Sequence, residues 1–233
     1  MLSAIIVAAG SSRRMGFDKV FAPLNGKPVL FHSLAAFQAC PDVSEILVVT
    51  REDRMAEVEQ LAKSEGITKF RSTVEGGAER HLSVWNGLRA TEAGRAQYVA
   101  IHDAARPLVT PKLITDCLAL AREHGAACCA SQIPDTVKRA SYELMVTDSV
   151  ERQGLWAMQT PQIFSATLIV QAYASLIAHN ELVTDEVSAV QKLGKRVALL
   201  PNDDYNFKIT FARDLPLAEQ VLDIRAAKQR AKI

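Results

Sequence analysis

Short apolar runs alternate with amphipathic helical patterns along most of this chain, and that rhythm leaves few folds open to it. The runs lie at residues 4–7, 46–49, 70–74, 98–101 and 126–130. Between them, Pro28 opens a pattern with Leu30, Leu34 and Phe37 on one face, and Pro111 opens another through Leu113, Cys117 and Leu120. Met55, Val58 and Leu61 mark a further helix, as do Leu82, Trp85 and Leu88. Repeated β-α units predict an α/β, Rossmann-like, mostly parallel sheet with helices on both faces. The 233 residues suffice for one such domain, and 1–233 is read as one.

The rhythm breaks over residues 134–156, which are polar, with extended pieces at 136–139 and 145–150. This stretch predicts a projecting, hairpin-like β-arm. An arm without its own core usually packs on something; a second subunit is the natural candidate, and a solvated insertion is the alternative. Helical patterns return at 166–178 and 184–193, a strand follows at 196–200, and a closing helix runs over 214–232. The formal charge of +1 argues against an extended nucleic-acid surface but not against a local phosphate pocket. No apolar run approaches the roughly 20 residues that span a bilayer, and the N-terminus lacks a signal-peptide pattern, so a cytoplasmic protein without membrane partners is expected. Cys40, Cys117, Cys128 and Cys129 form no C-x-x-C pair and read as buried, reduced thiols.

Candidate chemistry gathers where strands end. The first run empties into Ala8-Ala9-Gly10-Ser11-Ser12-Arg13-Arg14-Met15-Gly16-Phe17-Asp18-Lys19. Small side chains let a ligand approach backbone N–H groups, and the three cations can hold phosphate oxygens. The loop matches neither the P-loop nor the dinucleotide fingerprint. Taken alone, it reads as a nucleoside triphosphate site or as a plain strand-to-helix turn. Gly76-Gly77, ahead of Arg80 and Ser83, is either a backbone surface for a base edge or an ordinary turn. His102-Asp103-Ala104-Ala105-Arg106-Pro107 follows a strand, which suits Asp103 to a metal or a ribose hydroxyl and Arg106 to a phosphate. Gln159-Thr160-Pro161-Gln162 reads as a rigid polar turn before a helix. In Asn206-Phe207-Lys208-Ile209-Thr210 a short strand turns Lys208 away from its apolar neighbours, into a cleft or onto an exposed edge. Thr184-Asp185-Glu186 reads as a helix cap whose acids could also organise a site at second hand.

Taken in order, A-A-G-x-x-x-R-M-G with a following Lys, G-G-x-x-R-x-x-S-V, H-D-A-A-R-P, D-T-x-K, R-x-G-L-W, T-P-Q, T-D-E and N-x-K-I-T span essentially the whole chain. Together they resemble the 2-C-methyl-D-erythritol 4-phosphate cytidylyltransferase family of the non-mevalonate isoprenoid pathway. The resemblance implies that CTP and methylerythritol phosphate give the CDP-alcohol and pyrophosphate, with Mg²⁺ carried by the CTP phosphates and Asp103 as its candidate protein ligand. It implies that Arg14 and Lys19 hold the triphosphate and that Lys208 approaches the α-phosphate. Ala8, Ala9, Gly10, Gly77, Ser83, Asp103 and Ala104 would line the nucleotide. Asp103, Arg106, Thr136, Arg152 and Thr160 would place the sugar phosphate, Arg152 also serving catalysis. It further implies a homodimer with exchanged arms, Thr136 and Arg152 of one subunit entering the other's site. Two departures stand out: the Arg14–Lys19 spacing is shorter than in many members, and Ala78 stands where some carry Asp. Cytidylyltransferases using ribitol or ribulose 5-phosphate share the loop and a similar H-D-x-x-R-P. Ala104-Ala105, T-P-Q and N-x-K-I-T favour the methylerythritol reading, and the full set of cations argues against a non-catalytic nucleotide sensor.

Overall fold

All five apolar runs become strands of one sheet in the computed structural model, which describes residues 1–10, 16–91 and 96–231. In chain order the elements are β1 (Leu2–Val7), β2 (Pro23–Leu24), β3 (Lys27–Pro28), α1 (Val29–Ala39), β4 (Val43–Thr50), α2 (Met55–Ser64), β5 (Phe70–Glu75), α3 (Arg80–Ala90), β6 (Tyr98–Asp103), α4 (Pro111–His124), β7 (Ala126–Gln132), β8 (Val137–Ala140), β9 (Val146–Val150), β10 (Trp156–Ser165), α5 (Ala166–Ala178), α6 (Glu186–Lys192), β11 (Ala198–Pro201) and α7 (Asp214–Arg230). A short 3₁₀ turn, Glu52–Arg54, leads into α2.

The large sheet has seven strands in the order β11-β7-β10-β6-β1-β4-β5. Every neighbouring pair is parallel except those of β10, which runs against both β6 and β7. The chain steps outward from β1 through β4 to β5, then returns to the other side of β1 as β6. That reversal opens a crevice beyond the carboxyl ends of β1 and β6, where ligands bind in open α/β sheets. Val7 pairs with Asp103 in register, so the small-residue loop and the H-D-A-A-R-P segment leave the sheet side by side.

Alternation along β1 explains the two apolar layers. Ala4 and Ile6 face Leu30, Leu34, Phe37, Val58, Ile114 and Leu118 on one side of the sheet. Ile5 faces Val84, Leu88, Ile169, Tyr173 and Val190 on the other. A third cluster joins Leu24, Val29 and Leu108 to Ile209, Ala218 and Val221, fastening α7 beside the β2–β3 hairpin. Helix ends follow their local chemistry. Thr110 Oγ1 accepts from the Leu113 N–H at 3.2 Å, Pro111 opens α4, and Gly125 closes it at φ 80°, where a Cβ would be strained. Asp185, rather than Thr184, caps α6 by accepting from the Ser188 N–H at 3.0 Å. The four cysteines are buried and free.

Two expectations are corrected. Residues 159–162 are not a turn before a helix; they lie within β10, where the register against β7 skips between Met158 and Gln162. The skip accommodates Pro161, which cannot donate to a ladder, inside a central strand. Residues 206–210 form no strand. They are pinned instead by single bonds: Asn206 Nδ2 donates to the Thr160 carbonyl at 2.9 Å, and the Ile209 N–H donates to the Ala105 carbonyl at 2.8 Å. Within the 134–156 stretch, β8 and β9 pair as a separate antiparallel ribbon, with Val137 opposite Val150. Its large apolar side chains Tyr142, Leu144, Met145 and Val146 are exposed.

Candidate active site

Asp103 ends β6 at the mouth of the crevice and is only 8% exposed. Both its oxygens are engaged. Oδ1 accepts from Arg80 Nη2 at 3.1 Å, and Oδ2 accepts from Lys208 Nζ at 2.7 Å. Burial pushes the Asp103 carboxyl up, but Arg80, Lys208 and Arg106 outweigh it and hold the group well below the usual carboxylate range. Arg80, on the first turn of α3, reaches onward to Glu186 of α6, with Nη1 at 2.5 Å from Oε1. Glu186 is fully buried and also accepts from the Tyr173 hydroxyl at 3.0 Å. A line of alternating charge therefore crosses the crevice floor, Glu186–Arg80–Asp103–Lys208.

A polar knot lies beneath it. His102 is fully buried, with Nε2 at 3.2 Å from the Arg106 carbonyl oxygen. A carbonyl only accepts, so Nε2 carries the proton and Nδ1 is the acceptor, 3.0 Å from Thr160 Oγ1. The Thr160 hydroxyl thus donates to His102 and accepts from the Asp103 N–H at 3.1 Å. Burial pulls the His102 pKa down to about 4, against the raising influence of Asp103. Arg106 donates Nη1 to the Asn206 carbonyl at 2.8 Å and Nη2 to the Met158 carbonyl at 3.3 Å, tying β10 and the 206–210 stretch to β6.

On the β1 side, the Ala8 N–H donates to Val49 and the Ala104 N–H to Val7, which sets the two loops as neighbours. Gly76 closes against them: a Cβ there would lie 2.5 Å from the Ala9 Cβ and 3.1 Å from Ser83 Oγ. The Gly77 N–H donates to Ser83 Oγ at 3.0 Å, so the Gly pair and the first turn of α3 form one unit. Lys19 Nζ donates to the Ile209 carbonyl at 3.1 Å, next in sequence to Lys208. Asp18 pairs with Arg51 at 2.8 Å and Arg54 at 3.5 Å, which anchors the loop's return.

Ala8, Ala9, Gly10, Lys19, Gly77, Asp103, Ala104, Arg106 and Lys208 thus belong to the loops and strand ends around one crevice, with Ser83 on α3 and Thr160 within β10 bonded to them. Arg14 lies outside the described residues. Thr136 and Arg152 sit exposed on the arm, where Arg152 donates to the Pro134 carbonyl. Among the described residues no hydrogen bond or ion pair joins either of them to the crevice. Sequence reasoning singled out Arg80 without giving it a role in the site and missed Tyr173. The Arg of G-G-x-x-R was the available signal for the first, whereas Tyr173 looks like any core aromatic of α5. Among the described residues no three His, Cys, Asp or Glu side chains converge as a metal cage. With both Asp103 oxygens committed to cations, the crevice does not fit a resident protein-held ion.

A switch-point crevice of this kind, at the carboxyl ends of a mostly parallel sheet, is where open α/β folds bind their ligands. The family model described as IspD, 2-C-methyl-D-erythritol 4-phosphate cytidylyltransferase, matches residues 2–224, and the chain belongs to that family. It is 37% identical over 227 residues to the 2-C-methyl-D-erythritol 4-phosphate cytidylyltransferase of Bacillus cytotoxicus, covering 97% of this chain and 99% of that one. The Clostridium botulinum protein of the same name is 38% identical over 223 residues, covering 95% and 97%. Among solved structures, 4-diphosphocytidyl-2C-methyl-D-erythritol synthase of Anaerococcus prevotii superposes with a TM-score of 0.82 at 28% identity, covering 96% and 98%. The Thermus thermophilus cytidylyltransferase superposes at 0.78 with 30% identity, covering 94% and 98%. The chain is accordingly a cytidylyltransferase of isoprenoid precursor synthesis. Among the described residues no helix is long and apolar enough to cross a membrane.

Proposed function

We propose that residues 1–233 act as one cytoplasmic nucleotidyltransferase domain that moves CMP from CTP to 2-C-methyl-D-erythritol 4-phosphate. A phosphate oxygen of the sugar attacks the α-phosphorus, the bond to the β-phosphate breaks, and pyrophosphate leaves. The single observation that carries this reading is the Lys208 ammonium held on Asp103 at the sheet's switch point.

A phosphate monoester is already anionic near neutral pH, so the reaction needs no general base. The obstacle is repulsion between two anions, and fixed cations must offset it. Lys208 is oriented by a carboxylate that stays ionised, so its charge is in place before the ligand arrives. Lys19 and, by its motif, Arg14 hold the β- and γ-phosphates and stabilise charge moving onto pyrophosphate. Ala8, Ala9, Gly10, Gly77, Ser83 and Ala104 line the nucleoside with backbone groups and small side chains. Arg106, Thr160 and Asp103 shape the acceptor side. Mg²⁺ comes with CTP as part of the substrate and neutralises phosphate charge there. Thr136 and Arg152 complete the site from the arm of a second copy, the role of residues about 134–156. The arm's exposed Tyr142, Leu144, Met145 and Val146 support such docking.

The test is pyrophosphate release with each of the four nucleoside triphosphates, with and without methylerythritol phosphate. Release that needs both CTP and this alcohol supports the reading. Equal turnover of ribitol or ribulose 5-phosphate, or nucleotide binding without any release, overturns it.

A further inference from the structure

We propose that Glu186 is a positioning residue for the transfer reaction, acting on Lys208 through Arg80 and Asp103. The inference rests on the reading of Lys208 given above and extends it to a carboxylate of α6 whose own bonds go to Arg80 and Tyr173.

Glu186 lies on the first turn of α6 with no exposed surface. A lone carboxylate there is costly, and an apolar residue of similar volume would suit the surrounding cluster of Val187, Val190 and Tyr173 better. What the carboxylate does instead is grip Arg80. Nη1 and Nη2 of Arg80 donate to its two oxygens at 2.5 and 3.1 Å, a fork that fixes the plane of the guanidinium. The Tyr173 hydroxyl holds Oε1 from behind at 3.0 Å. The remaining edge of Arg80, Nε at 3.4 Å and Nη2 at 3.1 Å, then engages Asp103 Oδ1 alone. That leaves Oδ2 for Lys208 at 2.7 Å.

The charges alternate and cancel along the line. If Glu186 loses its charge, Arg80 keeps only Asp103, draws both carboxylate oxygens toward itself, and competes directly with Lys208. The ammonium shifts from the place where the α-phosphate reacts. Displacements of about an ångström at a reacting centre cost up to about 10²-fold in rate.

Glu186→Gln preserves shape and tests this. The expected result is a fall in kcat of at least about tenfold with KM for CTP changed by less than about threefold. Activity is read well below the melting temperature of every variant, so loss of stability does not pass as loss of rate. The deciding measurement is a double-mutant cycle with Lys208→Ala. If Glu186 acts through Lys208, Glu186→Gln costs less than about threefold in kcat once Lys208 is gone. A penalty of the same factor in both backgrounds, or a single variant with wild-type kcat, overturns the proposal. Full activity in Lys208→Ala itself would instead overturn the assignment of Lys208, and the relay with it. Should Glu186→Gln fail to fold, Tyr173→Phe keeps the charge, removes the hydroxyl behind it, and enters the same cycle. A fall in kcat that disappears with Lys208 supports the relay, and no fall, or one that persists, overturns it.

Discussion

Acidification from about pH 8 to about pH 5 places a specific load on His102. The side chain has no exposed surface, and its neutral form is built into the knot, accepting from Thr160 and donating to the Arg106 carbonyl. Unfolded, it takes up a proton near 6.5; folded, only near about 4. Between those values the unfolded chain binds the proton and the folded protein does not. Stability is therefore full above about pH 6.5, falls as the pH drops, and loses no more once the pH is below about 4. Integrating the two titrations gives a loss of about 2 kcal/mol at pH 5 and about 3 kcal/mol at pH 4. Asp103 does not confuse the upper window. Its folded carboxyl lies below the usual range, so it is ionised in both states above about pH 5. His32, which burial also lowers, contributes equally to wild type and variant. The assay is urea unfolding of wild type and His102→Gln at about pH 8 and about pH 5, at one protein concentration so that association enters both alike. Wild type should lose about 2 kcal/mol more than the variant over this interval. Equal losses within about 0.5 kcal/mol would mean that His102 is not the neutral, doubly bonded centre of the knot.

Three further outcomes are expected from the proposed roles. Lys19→Ala and Lys208→Ala should each lower kcat by at least about 10²-fold, the scale of one preorganised charge, and losses below about threefold in both would remove their roles. Gly76→Ala sets a Cβ 2.5 Å from that of Ala9, so kcat/KM for CTP should fall about tenfold or more while far-UV circular dichroism is unchanged; an unaltered kcat/KM would detach this loop from the nucleotide. Arg152→Ala should chiefly raise KM for the sugar phosphate, and mixing it with Lys208→Ala subunits should regenerate activity in hybrid dimers. A change confined to KM for CTP, or inactive verified hybrids, would refute the shared site.

Local rules carried the scaffold a long way. Strand cores at β1, β4, β5, β6 and β7 follow from apolar runs whose pattern is self-evident along the chain. Pro111 opens α4, and α5 spans Ala166–Ala178 as its pattern predicts. These features depend on residues within a turn or two of each other, which is why composition and period suffice. β10 escaped because Thr160-Pro161-Gln162 has the chemistry of a turn. Only two neighbouring strands, with a ladder that skips past the proline, make it a strand.

The residue types of the site were also evident in the chain: a carboxylate after β6, cations after β1, a lysine between two apolar residues near the end. Their partners were not. Lys208 meets Asp103 across 105 positions and Arg80 meets Glu186 across 106. Nothing in either neighbourhood specifies the other. That choice belongs to the strand order, because the reversal beside β1 alone brings the ends of β1 and β6 together, with α3, α6 and the 206–210 stretch around them. Side-chain chemistry decided which charges the chain carries, and topology decided which of them share low-dielectric space and so act on one another.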